Sequence, residues 1–142
     1  MMRVQVRGRI NATADAVFKD ISDFGNLARL AVIASCTVEG RGVGAVRTVT
    51  FTNPKLGVVV ERLEFYNPST RTLSYRIINA DCLLPVENYL ATVRVLEDGP
   101  HACILEWGSV FTPRGAPEQE VRPLFEGFYQ EAIDVARHAV GG

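Results

Sequence analysis

Residues 121–140 read VRPLFEGFYQEAIDVARHAV, and this stretch says most about the fold. Its apolar side chains recur at steps of three and four residues, which predicts a long amphipathic helix with one broad apolar stripe. Pro123 lies inside the pattern and predicts either a kink or a later start of the helix. The stripe consists of Val121, Leu124, Phe125, Phe128, Tyr129, Ala132, Ile133, Ala136 and Val140.

Upstream of this helix, apolar and polar residues alternate in short runs between turn-forming clusters, as is typical of antiparallel strands. Helical spacing over 14–21 and 27–33 predicts two short helices after the first strand. We therefore predict an α+β fold, with residues 1–142 forming one domain in which a curved, seven-stranded antiparallel sheet surrounds the C-terminal helix. A ligand would lie between sheet and helix. The predicted strands cover 3–10, 35–40, 44–52, 58–66, 72–78, 87–96 and 102–112.

The composition narrows the possible functions. There are 15 Lys and Arg residues and 16 Asp and Glu residues, and a net charge of −1 argues against binding to nucleic acid. The most apolar run, 27–34, contains Arg29 and is too short to span a membrane. The three cysteines form no Cys-x-x-Cys motif, which argues against disulfides and zinc and favours the reducing cytoplasm. Because His101 and His138 lack partners at ligand spacing, neither a metal nor a cofactor is expected.

Several short stretches, taken in their order and spacing, carry a resemblance to a known superfamily. They are 16–27 (AVFKDISDFGNL), 35–47 (SCTVEGRGVGAVR), 61–64 (ERLE), 73–78 (LSYRII) and Asn88-Tyr89. The chain resembles the START-like or SRPBCC superfamily of helix-grip proteins, which includes polyketide cyclases, lipid-transfer proteins, the birch pollen allergens and the plant abscisic-acid receptors. The resemblance implies the helix-grip fold and a ligand pocket, but it does not fix a reaction.

Two departures argue against an abscisic-acid receptor. Leu30 stands where those receptors keep a Lys that grips the ligand carboxylate, and Leu84-Pro85-Val86 lacks the receptors' His. The mouth of the pocket is predicted near 53–57 and 81–86, because both segments are rich in Pro, Asn, Asp and Gly, as mobile lids often are.

Glu61 is the most informative polar residue. In its strand it shares a face with Val59 and Leu63, so its carboxylate is expected among apolar residues facing the cavity. A carboxylate there must be paired, hydrogen-bonded or protonated, and both a structural and a ligand-facing role remain open. Arg47 lies on the same face as Val49 and can either enter the cavity or extend to solvent, and we favour a position at the rim.

For the orientation of Glu106, the alternation of the strand and the family resemblance give opposite predictions. Simple alternation turns Trp107 inward and Glu106 toward solvent. The resemblance implies the reverse, because Leu105-Glu106 matches a Leu-Glu pair whose Glu lines the receptors' pocket. We follow the resemblance and predict Glu106 as a cavity residue, while an exposed surface Glu remains the alternative.

Tyr89 shares a face with Ala91, and its hydroxyl would be a hydrogen-bonding group on an apolar wall. The resemblance implies the same position in the pocket. The candidate catalytic residues are therefore Glu61, Glu106 and Tyr89. The rest of the predicted wall, which is also compatible with plain core packing, comprises Val49, Phe51, Val59, Leu63, Tyr75, Ile77, Ala91, Phe125, Phe128, Tyr129 and Ile133.

These features leave three functions open. The first is binding of a small hydrophobic molecule, which can be polyketide-, lipid- or aromatic-like. The second is cyclase or dehydratase activity on such a molecule, with a carboxylate and a Tyr assisting enolisation and loss of water. The third is a non-catalytic lipid carrier, or an interaction protein that dimerises through an exposed apolar face around Trp107 and Phe111. Either a monomer or a homodimer is compatible with the sequence.

Overall fold

The computed structural model describes residues 1–141, and its seven strands form one curved antiparallel sheet in the order β1-β7-β6-β5-β4-β3-β2. Each strand pairs with its neighbours in antiparallel register, as the short turns predict. The fold class and the strand count are therefore confirmed. The strands are β1 (Met2–Ile10), β2 (Ile33–Glu39), β3 (Val46–Phe51), β4 (Val58–Asn67), β5 (Thr72–Ile77), β6 (Val86–Glu97) and β7 (Cys103–Pro113).

Helix α1 (Ala14–Ile21) follows β1 and is capped by Thr13, whose Oγ1 accepts a hydrogen bond from the Ala16 N–H at 3.1 Å. The second predicted helix, over 27–33, is shorter than expected. Only a 3₁₀ turn forms, at Asn26–Arg29, because Leu30 adopts an extended backbone conformation and a tight turn, closed by the Ile33 N–H donating to the Leu30 carbonyl at 3.0 Å, leads into β2.

Helix α2 (Glu118–Val140) packs its apolar stripe against the inner face of the sheet. It continues through Pro123, which lies on the solvent side of the helix. Two of its arginines donate to carbonyl groups of β1: Arg122 to Arg3 at 3.0 Å and Arg137 to Arg9 at 3.1 Å. Close approach of helix and strand requires Gly8, because a Cβ there would lie 2.7 Å from Cγ2 of Ile133.

The core lies between the inner face of the sheet and α2. Trp107 is 6% exposed and Phe111 is completely buried, and both point into this core. The expectation of an exposed apolar face around these two residues, able to form a dimer, is therefore wrong. Alternation along β7 places both side chains inward, and burying two large aromatic rings stabilises the fold.

Within residues 1–141, no helix is both long enough and apolar enough to cross a membrane.

Candidate functional site

A cavity of about 60 Å³ lies between the sheet and α2. It is smaller than the 300–1,000 Å³ that is typical of ligand pockets, because aromatic side chains fill most of the space that the sheet curvature creates. Phe51 and Phe128, for example, meet with their ring centroids 5.4 Å apart. The predicted residues that line the cavity are Val49, Phe51, Val59, Glu61, Tyr75, Ile77, Tyr89, Phe125, Phe128 and Tyr129.

Three predicted wall residues are buried but lie elsewhere in the core. Leu63 faces the region around Phe24, Ile133 packs against Gly8 of β1, and Ala91 is completely buried without bordering the cavity. Their assignment to the cavity wall is therefore wrong. Alternation shows which face of a strand is buried, but it does not show which part of that face borders empty space.

Seven further residues line the cavity without having been predicted, and three of them lie in the segment between α1 and β2. Leu30 could have been found, because it occupies the position at which the resemblance places a ligand-gripping Lys. Alternation along β7 turns Trp107 inward, but the resemblance, which places Glu106 in the pocket, implies the opposite orientation for Trp107. The missed residues are Leu27, Leu30, Val32, Ile33, Leu84, Trp107 and Ala132.

Arg47 and Glu61 form a buried ion pair, with 2.7 Å between Arg47 Nε and Glu61 Oε1. They are 4% and 7% exposed and lie directly opposite each other on β3 and β4. The expected rim position of Arg47 is therefore wrong. Its guanidinium lies 4.1 Å from the ring centroid of Phe24 and 4.5 Å from that of Tyr75, and these cation–π contacts favour the interior over solvent.

The remaining polar atoms of this pair differ in their partners. Arg47 Nη1 donates to the Phe24 carbonyl at 3.2 Å, whereas Nη2 is buried without a partner among the described residues. Burial lowers the pKa of the Arg47 guanidinium, but the Glu61 carboxylate, together with Tyr75 and Cys36, more than offsets this and raises that pKa above its usual value. Arg47 therefore remains charged.

Glu61 has one carboxylate oxygen left over. Oε1 accepts a hydrogen bond from Arg47, while Oε2 has no hydrogen-bond partner within residues 1–141. Oε2 is not completely buried. Because Glu61 lines the cavity, this oxygen can accept a hydrogen bond from a molecule placed there.

Glu106 does not line the cavity, and the prediction that it does is wrong. Its carboxylate lies on the outer face of the sheet, where Arg94 donates to Oε1 at 2.7 Å and Arg7 lies 2.8 Å from Oε2. The three residues are cross-strand neighbours on β1, β7 and β6, so opposite charges meet by register. Alternation gave the correct orientation and the resemblance did not.

Tyr89 reaches the cavity from a bulge in β6. The register with β7 shifts between Glu87 and Leu90, and Asn88 has a φ of 54°. The Tyr89 hydroxyl is hydrogen-bonded to that of Tyr129, and Tyr129 donates in turn to Ser109 Oγ at 2.6 Å. Burial raises the pKa of both tyrosines well above the usual value, so both hydroxyls are neutral at physiological pH.

A second hydroxyl on the cavity wall belongs to Tyr75. The indole Nε1–H of Trp107 donates to the Tyr75 hydroxyl at 2.9 Å, across the intervening strand β6. Burial, with a further contribution from the Glu61 carboxylate, raises the pKa of Tyr75 to about 12.

The raised pKa of Tyr75 makes stability depend on pH at the alkaline end. The native state holds this proton more tightly than the unfolded chain, whose Tyr pKa is about 10. The contribution of the protonated Tyr75 to the free energy of unfolding is therefore complete below about pH 10. It is lost as the pH rises through about 12, and the free energy of unfolding then falls by about 1.4 kcal/mol per pH unit. Urea unfolding at a series of pH values should show this decline, and Tyr75→Phe should make it shallower. An identical decline in both proteins would contradict the prediction.

Metal-ligating side chains are dispersed. Across the described part of the chain, no group of three or more His, Cys, Asp or Glu residues lies close enough to hold a metal ion.

Comparison with known proteins gives a family and a fold. A family model described as "Polyketide cyclase / dehydrase and lipid transport" matches residues 1–140. No curated protein matches the sequence.

Solved structures of similar fold come from bacteria and plants. The protein XoxI from Bacillus cereus is 29% identical with a TM-score of 0.85, and 99% of this chain and 96% of that chain are covered. An uncharacterized protein from Bacillus thuringiensis is also 29% identical, with a TM-score of 0.83 and coverage of 97% and 98%. Norcoclaurine synthase from Thalictrum flavum is 20% identical with a TM-score of 0.82 and coverage of 97% and 92%. A further structure of that synthase contains dopamine and hydroxybenzaldehyde.

Proposed function

The chain belongs to the polyketide cyclase/dehydrase and lipid transport family, within the SRPBCC superfamily, and on that basis we propose that it binds a small hydrophobic molecule between its sheet and α2. One observation carries the proposal. In a cavity with mainly aliphatic and aromatic walls, the Glu61 carboxylate has an oxygen without a partner among the described residues. An apolar pocket with a few convergent polar groups is the usual form of a small-molecule site.

The ligand enters when the cavity enlarges. At about 60 Å³ the cavity holds only a small part of such a molecule, so side chains or loops must move on binding. The two predicted lids already touch: a Cβ at Gly57 would lie 2.7 Å from Leu83 Cδ1. Leu83 is exposed, whereas its neighbour Leu84 is buried and lines the cavity. Separation of these two segments would open this end of the cavity.

Binding can be tested with 4-ethylphenol, an apolar probe with a single hydroxyl group. In an NMR titration of the ¹⁵N-labelled protein, we expect saturable shifts at amides around the cavity. Glu61→Gln should weaken binding about tenfold or more, because a hydrogen bond to a charged acceptor is stronger than one to a neutral amide. The matched control is Glu64→Gln, on the same strand but on the outer face beside Arg62, and it should bind like the wild type. Failure of the wild type to show saturable shifts would contradict the proposed function.

A second candidate is dehydration of a β-hydroxy ketone inside the same cavity, and the unpartnered Glu61 oxygen favours it. The carboxylate would take the proton from the carbon between the carbonyl and hydroxyl groups, and that electron pair would form the C=C bond as the hydroxyl group leaves. The proton would then pass from Glu61 to the leaving oxygen, so that water forms and the carboxylate is restored. The Tyr89 hydroxyl would assist the enolisation. It is hydrogen-bonded to the Tyr129 hydroxyl, which in turn donates to Ser109 Oγ.

The reaction can be followed with 4-hydroxy-4-phenylbutan-2-one, which loses water to a conjugated enone that absorbs in the ultraviolet. Acceleration that Glu61→Gln abolishes and Glu64→Gln preserves would support the enzyme. Saturable binding of this compound without acceleration would instead support a non-catalytic carrier.

A further inference from the structure

The polar side chains on the cavity wall can be sorted into donors and acceptors of hydrogen bonds. Glu61 is ion-paired with Arg47, and an ionised carboxylate can only accept. The other polar side chains on the described wall are three tyrosines and one tryptophan, and each of them has one proton to donate. The four are Tyr75, Tyr89, Trp107 and Tyr129.

The protons of these four side chains are all used in a single chain of hydrogen bonds. The indole N–H of Trp107 donates to the Tyr75 hydroxyl at 2.9 Å, and an indole N–H can only donate. The Tyr75 hydroxyl is hydrogen-bonded to that of Tyr89, which is hydrogen-bonded in turn to that of Tyr129. Tyr129 donates to Ser109 Oγ at 2.6 Å and completes the chain. Four protons therefore form four bonds, and the described wall keeps no side-chain proton for a ligand.

Ser109 is the acceptor on which this count depends. It is 5% exposed and is not a lining residue of the cavity, so its own proton is not offered to a ligand. Because Trp107 can only donate at one end and Ser109 accepts at the other, every bond of the chain has the same direction. The tyrosine oxygens thus present only lone pairs to the cavity.

We infer that the cavity recognises its ligand by accepting hydrogen bonds only, and that the ligand is a neutral, largely apolar alcohol or phenol whose hydroxyl group donates to Glu61 Oε2. This inference rests on the proposed function and narrows its ligand class. A carbonyl oxygen in the cavity would stay unpaired or would break a bond of the chain, and either outcome costs affinity. Ser109 is a positioning residue, because it acts on the ligand only through the direction of the chain.

The same chain bears on the choice between binding and dehydration. The enolate oxygen that forms in dehydration of a β-hydroxy ketone needs a hydrogen-bond donor. Tyr89 could supply one only by turning its proton away from Tyr129 and breaking a buried hydrogen bond. The hydrogen-bond chain therefore favours binding without reaction.

Charge further restricts the ligand class. The Glu61 charge is balanced by Arg47 at 2.7 Å, so a positively charged group on the ligand would be buried without a carboxylate of its own. A negatively charged group would find no cation, since no Lys or Arg among the described residues lines the cavity. The ligand is therefore uncharged.

Removal of the last acceptor tests the proton count. In Ser109→Ala, four protons remain for three bonds, so one proton is left over. This proton belongs to one of the three tyrosines whichever direction the remaining bonds take, and all three line the cavity. A ligand with a carbonyl oxygen should therefore bind the variant more tightly than it binds the wild type.

Two probes of similar shape report this change in NMR titrations. Acetophenone has a carbonyl oxygen and no hydroxyl group, and ethylbenzene has no polar group. Ser109→Ala should tighten binding of acetophenone about threefold to tenfold and leave that of ethylbenzene unchanged. The matched control is Ser74→Ala, which removes a hydroxyl group from the outer face of the sheet, where Ser74 Oγ lies 3.1 Å from Thr92 Oγ1. This control should leave both dissociation constants unchanged.

The outcomes separate the inference from the proposed function. An unchanged affinity for acetophenone in Ser109→Ala, or an equal gain for both probes, would overturn the inference and leave the proposed function intact. Binding of ethylbenzene to the wild type without binding of 4-ethylphenol would do the same. If neither 4-ethylphenol nor ethylbenzene binds the wild type, both fail.

A measurement on the wild type alone keeps the test independent of how the variant folds. The infrared stretch of acetophenone labelled with ¹³C at the carbonyl falls in frequency when the oxygen accepts a hydrogen bond. We expect the probe bound to the wild type to keep the frequency that it has in hexane, and the probe bound to Ser109→Ala to show a lower one. A lowered frequency in the wild type would reveal a spare donor in the cavity and overturn the inference.

Discussion

Arg47→Met should lower the free energy of unfolding by about 3–5 kcal/mol, because it leaves the Glu61 carboxylate buried without its cation. The methionine side chain approximates the length of the arginine stem, so the loss reflects mainly the missing charge and its hydrogen bonds. It also removes the cation–π contacts of the guanidinium with the rings of Phe24 and Tyr75. Urea unfolding at neutral pH, followed by circular dichroism, measures the change.

The matched control is Arg62→Met on the neighbouring strand β4. Arg62 is exposed and pairs with Glu64 on the outer face, so its replacement should leave the unfolding free energy nearly unchanged. The double variant Arg47→Met/Glu61→Gln should recover part of the loss, because the buried charge is also removed. Equal stability of Arg47→Met and the wild type would show that the pair is not buried as described.

Phe125→Ala should also lower the free energy of unfolding by about 3–5 kcal/mol, through the cavity it leaves. Phe125 is 1% exposed and lies at the centre of an aromatic cluster. Its ring centroid is 5.5 Å from that of Tyr89, 5.0 Å from that of Phe111 and 5.6 Å from that of Phe128. The same urea unfolding measurement applies, and excess benzene should restore part of the lost stability by filling the enlarged cavity.

Phe65→Ala serves as the control for Phe125→Ala. Phe65 is 46% exposed, so truncating it leaves no buried cavity and should cost much less. If the two alanine variants were equally stable, the aromatic cluster would not form the packed wall of the cavity.

The architecture could be read from the sequence because both periodicities are strong. The strands β4 and β6 begin and end within a residue of their predicted limits, since each is bounded by turn-forming residues. Residues 27–33 were harder to assign, because a segment of seven residues with six apolar side chains fits helix and strand equally well. Such a short run is decided by tertiary packing, here around the cavity that Leu27 and Leu30 line.

The face of the sheet on which a side chain lies could be predicted from the sequence, whereas the side chain with which it pairs on a neighbouring strand could not. Alternation correctly turned Glu61 inward and Glu106 outward. The pairing of Arg47 with Glu61 depends on the register between β3 and β4, which no local pattern reveals. The Tyr75–Trp107 hydrogen bond is even harder to predict from the sequence, because the two residues lie on strands that are separated by β6.

The size of the cavity is also a property that sequence does not give. A curved sheet around a helix predicts a space, and the residues that face it were largely predicted. How much of that space remains depends on rotamers of Phe51, Phe128 and their neighbours, which follow from packing.

The most direct test of the account is a crystal structure of the protein grown with 4-bromophenol, in which the anomalous signal of bromine locates the probe. The account predicts bromine between the sheet and α2, with the phenol oxygen about 2.6–3.2 Å from a Glu61 carboxylate oxygen. Bromine found only outside this space, for example on the outer face of the sheet beside Arg94 and Glu106, would contradict it.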